Sequence, residues 1–226
     1  MNFLSHYFIE RHHPSFYYKL GVVMPDLIRG FNCKLRRGIF TYGMPENPVH
    51  AQIYKGISRH YDADRLFHQS EFFQHYSNLI HSRIKVSRLP SLHFRSYFLA
   101  HVFLELLLDR LLVKHNAQLC VEFYRDLESV NPLAAASYFS RIGKAGVFTE
   151  FFDNFNRFLY YRFLLFLGDN EMFVKALLRA YHKIIPVAVS RKESEILMAL
   201  TDEIESEHRH HLLDIFDTMS NPEPIT

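Results

Sequence analysis

His101, Glu105 and Asp109 stand four apart between Ser96 and Leu112, where almost every other residue is Leu, Phe, Val, Ala or Tyr. At 3.6 residues per turn, that spacing lines the three up along one stripe of a helix. A helix apolar on nearly every side belongs in the interior. Burying ionisable groups without partners costs several kcal/mol or more, so something in the fold must meet this stripe. A divalent metal ion is one group that does so directly.

A second stripe lies at His60, Asp64 and His68. Two helices would each offer an imidazole with a carboxylate one turn on, a donor set that suits zinc, manganese or iron and that facing helices commonly gather. Either pair alone is as well explained by a surface ion pair or a satisfied core histidine. Together, with one pair on an apolar helix, they point to a metal or catalytic site. His68 and Asp109 extend the stripes, as ligands or as groups that orient them, and Asp64, His68 and Asp109 are the candidates for catalytic proton transfer. Near the end, Glu207 to His211 also looks metal-like, but neighbouring residues face different ways on a helix and an exposed polar face explains them.

The elements that must hold these residues read as helices throughout. Apolar residues recur at three and four, and the alternating strand pattern is almost absent. The 8 Gly and 9 Pro of the 226 residues gather where helices would stop. Helices are expected over 15–29, over 48–85 as one or two, then over 96–112 with Ser91 as its cap, and near 116–129, 132–141, 147–166, 169–184 and 188–217. The expectation is an all-α bundle, one domain over 1–226, with its metal-site half at about 1–115, an aromatic-rich helical extension at about 116–217 and a tail at 218–226. The loop over 36–48 is long enough to be functional. Formal net charge is +2, leaving no basic excess that argues for nucleic acid. Two cysteines without CxxC spacing, no secretory signal and no apolar run of about 20 residues lead to the expectation of a cytoplasmic protein without a membrane span.

Met1-Asn-Phe-Leu-Ser-His6, followed by Met24-Pro-Asp-Leu-Ile-Arg-Gly30 and then by Gly56-Ile-Ser-Arg-His60 with Asp64, resembles the opening of bacterial acyl carrier protein phosphodiesterases, a divergent branch of the metal-dependent HD-type phosphohydrolases. The resemblance covers roughly the first 110 residues. It implies an HD-like fold, a divalent metal, and His6, Asp26, His60 and Asp64 as site residues; taken alone, Asp26 would read as a turn or cap residue. Pro25 stands where that family has Gly, Tyr61 where it has Arg, His68 where it has a further Asp, and Ala100-His101 where it has Asp-His. The order His6, Asp26, His60, Asp64, His68, His101, Glu105 is also similar to the ligand order of zinc-dependent phospholipases C and single-strand nucleases, and implies a multinuclear site.

The expected function is metal-dependent hydrolysis of a phosphodiester, with Mn, Zn or Fe held by His6, Asp26, His60, Asp64, His101 and Glu105. Such an ion activates water and polarises a phosphoryl oxygen. Arg29, Arg36 and Arg37, with Lys34, would hold a substrate phosphate or meet an acidic acyl carrier protein, and a solvated loop explains them equally. The aromatic run over 147–166 reads as core, as the seam of a homodimer, or as a wall for an acyl or pantetheine arm. The alternatives are a non-catalytic helical metal-binding or scaffold protein and a zinc phospholipase C-like hydrolase.

Overall fold

A computed structural model describes residues 1–28 and 42–220 of the chain. Arg29, Lys34, Arg36 and Arg37, residues 36–41 of the 36–48 stretch and the end from residue 221 lie outside the described residues. Among the described residues ten α-helices follow one another: α1 (Phe3–Glu10), α2 (Phe16–Leu27), α3 (Pro48–Gln69), α4 (Glu71–Val86), α5 (Ser96–His115), α6 (Ala117–Glu128), α7 (Pro132–Arg141), α8 (Phe148–Tyr161), α9 (Asn170–His182) and α10 (Arg191–Ser220). The described residues contain no strand, so the chain is all-α as its periodicity predicts. None of their helices is long and apolar enough to cross a membrane.

Short polar side chains set many of the helix starts. Ser15 accepts from Tyr18 N, Asn47 accepts from Val49 N and His50 N with Pro48 next to it, and Asn116, Asn131 and Asp169 cap α6, α7 and α9 in the same way. Ser70 divides the 48–85 stretch: its backbone is extended and its hydroxyl accepts from Phe73 N, so α3 ends and α4 begins on one residue. The expected cap at Ser91 is not one. Arg95 precedes α5 in a left-handed conformation, and Ser91 instead donates from both N–H and hydroxyl to Glu193 at the start of α10. The helix expected over 147–166 stops at Tyr161 because Arg162 also turns left-handed, at φ 44°, leading into a single 3-10 turn. Phe151 and Phe155 of α8 are buried and stacked, whereas Tyr160 and Tyr161 are exposed. The short helix α1 was not expected.

α5 runs through the centre, with fourteen of its twenty residues buried, and α1, α4, α6, α9 and α10 all pack against it. Arg110, almost wholly buried, donates to Glu205 Oε2 at 2.8 Å, Leu167 O at 3.0 Å and Asn170 Oδ1 at 2.6 Å, while Lys114 donates to Glu205 Oε1 at 2.6 Å. One guanidinium thus fastens α10, the 3-10 turn and the start of α9 to α5. Burial alone would raise the Glu205 carboxyl, but the hydrogen bonds from Lys114 and Arg110 hold it below its ordinary value of 4.5.

The tightest approach is between α2 and α3, where Gly21 and Gly56 face each other. A Cβ on Gly56 would lie 2.1 Å from Tyr18 O and 2.9 Å from Gly21 Cα; one on Gly21 would lie 2.3 Å from Ile53 O. Backbone meets backbone there, and only glycine fits.

Gly56→Ala must push the two helices apart; overpacking of this kind costs about 1–3 kcal/mol or more, read as a lower midpoint in urea denaturation. An unchanged midpoint would contradict the close approach. For Glu205 the depressed folded value means that its stabilisation is complete above the unfolded pKa and is lost as pH falls through the folded one. Thermal midpoints measured below pH 4.5 should therefore fall less steeply in Glu205→Gln than in the wild type, and equal slopes would count against the assignment.

Candidate metal centre

Four helices bring the candidate residues together: α1 carries His6, α2 Asp26, α3 His60, Asp64 and His68, and α5 His101 and Glu105. The Gly21–Gly56 contact places Val22 O 2.8 Å from His60 Nδ1. A carbonyl only accepts, so Nδ1 carries the proton and Nε2 faces the site, 3.5 Å from Asp64 Oδ2. The His6 ring stacks on His60 with centroids 4.0 Å apart, and its Nε2 lies 3.0 Å from Asp64 Oδ1. Burial, reinforced by the neighbouring His60, pushes His6 down to about 4. Burial would raise Asp64, yet the hydrogen bond with His6 and the nearby α-ammonium of Met1 hold it well below the carboxylate range. At neutral pH the proton between the two therefore sits on His6, and the imidazole is uncharged.

His6, Asp26 and His60 each offer a donor atom within 4.8 Å of the others. His68, His101 and Glu105 form a second group. His68 Nε2 and His101 Nε2 are 3.2 Å apart, and Glu105 Oε1 lies 3.1 and 3.0 Å from them. Donors around a tetrahedral ion at 2.0–2.1 Å stand about 3.3 Å from one another, so this triangle matches an ion's requirement closely. Glu105 is held well below its ordinary range: burial opposes ionisation, but the Met1 ammonium and the two imidazoles outweigh it.

The two groups share a wall. The Met1 α-amino group donates to Asp64 Oδ1 at 2.9 Å and to Glu105 Oε1 at 3.1 Å, so one carboxylate from each stripe touches the same nitrogen. A buried ammonium held between carboxylates shows that the space favours positive charge. The groups differ in access: the His6 and His60 side chains are 1% and 3% exposed, those of His68 and His101 30% and 27%. Phe73 on α4 closes one side, its ring 4.8 Å from His68 and 5.0 Å from His101.

Asp109 belongs to neither group. Its carboxylate accepts from Leu4 N at 3.2 Å, Ser5 N at 2.8 Å and Ser5 Oγ at 2.7 Å. Burial pushes it up to about 7 against the pull of those bonds. The proposed phosphate-binding residues Arg29, Arg36 and Arg37 lie outside the described residues. Sequence reasoning missed Phe73, Val22 O and the Met1 amine; the first two carry no local signal, since they arrive from other helices. Comparison with protein-family models, curated proteins and solved structures finds no match to this chain.

Proposed function

We propose that this chain is a metal-dependent phosphoester hydrolase acting on phosphodiesters, with its ions held by His6, Asp26 and His60 and by His68, His101 and Glu105. The observation that carries the reading is the convergence of two three-donor groups from four helices, with Asp64 and Glu105 meeting at one cation. A divalent ion, Mn, Zn or Fe, supplies Lewis-acid polarisation of the phosphoryl group and activation of water. The chain's own residues orient and neutralise. Val22 O fixes the His60 tautomer, and Asp64 holds His6 in place. The partly open His68 and His101 form the side that a substrate phosphate reaches, and an ion held by them and Glu105 would stabilise the leaving oxygen there.

The N-terminal resemblance supports a phosphodiester on an acyl carrier protein as the substrate class, with an acidic carrier drawn to Arg29, Lys34, Arg36 and Arg37 and a cytoplasmic setting. A rival reading is a helical scaffold in which the same residues only pair with one another. It draws on the contacts of Glu105, whose Oε1 is already shared by two imidazoles and an ammonium.

Purified without chelators, the protein should carry a transition metal by emission spectroscopy and hydrolyse a chromogenic phosphodiester when manganese or zinc is supplied. His60→Ala and His101→Ala should each lower kcat/KM by more than about a hundredfold. Metal present at about 100 times its Kd should stabilise the fold by about 2.7 kcal/mol, so that chelation lowers Tm by about 5–11 °C in a chain of this size. No bound metal together with no hydrolysis would leave the scaffold reading standing.

A further inference from the structure

We infer that Asp109 is a positioning residue, whose carboxylate seats the first turn of α1 and thereby sets His6 against His60 and Asp64. This rests on the metal-centre reading above for its consequence, though not for its geometry. The first turn of any helix has N–H groups without partners inside the helix. In α1 the residue placed to serve them, Asn2, makes no capping hydrogen bond through its side chain, and the turn holds no acidic residue of its own. Asp109, more than a hundred residues later and on another helix, does the work instead. Oδ2 accepts from Leu4 N, and Oδ1 accepts from both Ser5 N and Ser5 Oγ. A negative charge at this end of a helix is also favoured by the aligned peptide dipoles.

The next residue is His6. It lies in the same turn, so its ring stands where the Ser5 backbone is held, stacked at 4.0 Å on His60 and 3.0 Å from Asp64. One turn earlier on α5, Glu105 belongs to the other donor group. A single helical turn of α5 thus supplies a donor to one group and holds the element that supplies a donor to the other. Asp109 is fully buried and enclosed by these bonds, which places it out of reach of a substrate. Farther along, Tyr7 donates to Asp126 Oδ2 at 2.7 Å, as Lys19 does, so α1 is held at its middle as well as at its start.

Asp109→Asn keeps the volume but turns an amide donor toward N–H donors. It should retain native far-UV helicity, weaken cobalt or zinc binding by about 10–100-fold, and change the visible spectrum of bound cobalt. In metal-free protein it should also abolish the NMR cross-peak between the His6 and His60 rings. Leu177→Ala, a cavity in α9 remote from α1, serves as the control: a comparable loss of Tm should leave affinity, spectrum and cross-peak as in the wild type. Should Asp109→Asn not fold, Ser5→Ala, which deletes one of the three donors, should show the same changes at smaller size. A folded Asp109→Asn or Ser5→Ala with the cross-peak intact overturns the inference. A wild type that binds no metal, with the cross-peak present and lost in Asp109→Asn, overturns the metal reading and leaves the positioning role in place.

Discussion

Glu105, Asp109 and Arg110 are consecutive ionisable groups on a helix whose surroundings are otherwise Leu, Phe and Val, and none can stay there unpaired, because an isolated charge in such an interior costs far more than the packing around it returns. Each is met by a different part of the chain. Glu105 draws in His68 and the Met1 amine, Asp109 draws in the start of α1, and Arg110 draws in α10, the 3-10 turn and α9. The hydrophobic effect accounts for α5 being central, but it is not directional. What decides which neighbour lies where along α5 is the order in which these three groups occur.

That logic also separates the legible from the illegible. The pairs His60 with Asp64 and His101 with Glu105 are readable because both partners share one helix, and the 3.6-residue period alone puts them together. His68 follows by the same rule and does join His101 and Glu105. The three-at-a-time stripe of α5 is misleading at its last member: four residues on, the helix has advanced by about 6 Å, enough for Asp109 to meet α1 rather than the donors around Glu105. Helix α1 itself escapes sequence reasoning because it has eight residues, no capping side chain of its own and aromatic residues of modest helix propensity. Its stability is tertiary. The Arg110–Glu205 bond, between residues far apart in sequence, has no local signature either.

The helical class and the described helices other than α1 follow from periodicity, and the boundaries depart where backbone geometry intervenes. Arg95 and Arg162 both adopt left-handed conformations that nothing in an arginine side chain announces. At Ser70, by contrast, the break was readable in principle, since a serine three residues before Phe73 in a polar stretch is a common start signal. The expected tail from residue 218 begins too early, because α10 continues to Ser220 and buries Met219.

The contact between Gly21 and Gly56 has one more implication, which concerns entropy. The groups that fix His60 are a carbonyl of the main chain and two residues with no side-chain torsions. No rotamer exchange can loosen that arrangement, and none has to be frozen when a ligand arrives. The ordering cost of this imidazole is met once, when α2 and α3 fold together. His68 and His101, by contrast, are fixed only through side chains, to each other and to Glu105, and lie partly in solvent beside the Phe73 ring. The molecule therefore carries one set of donors fixed through the main chain and one partly open to solvent, with α3 contributing to both.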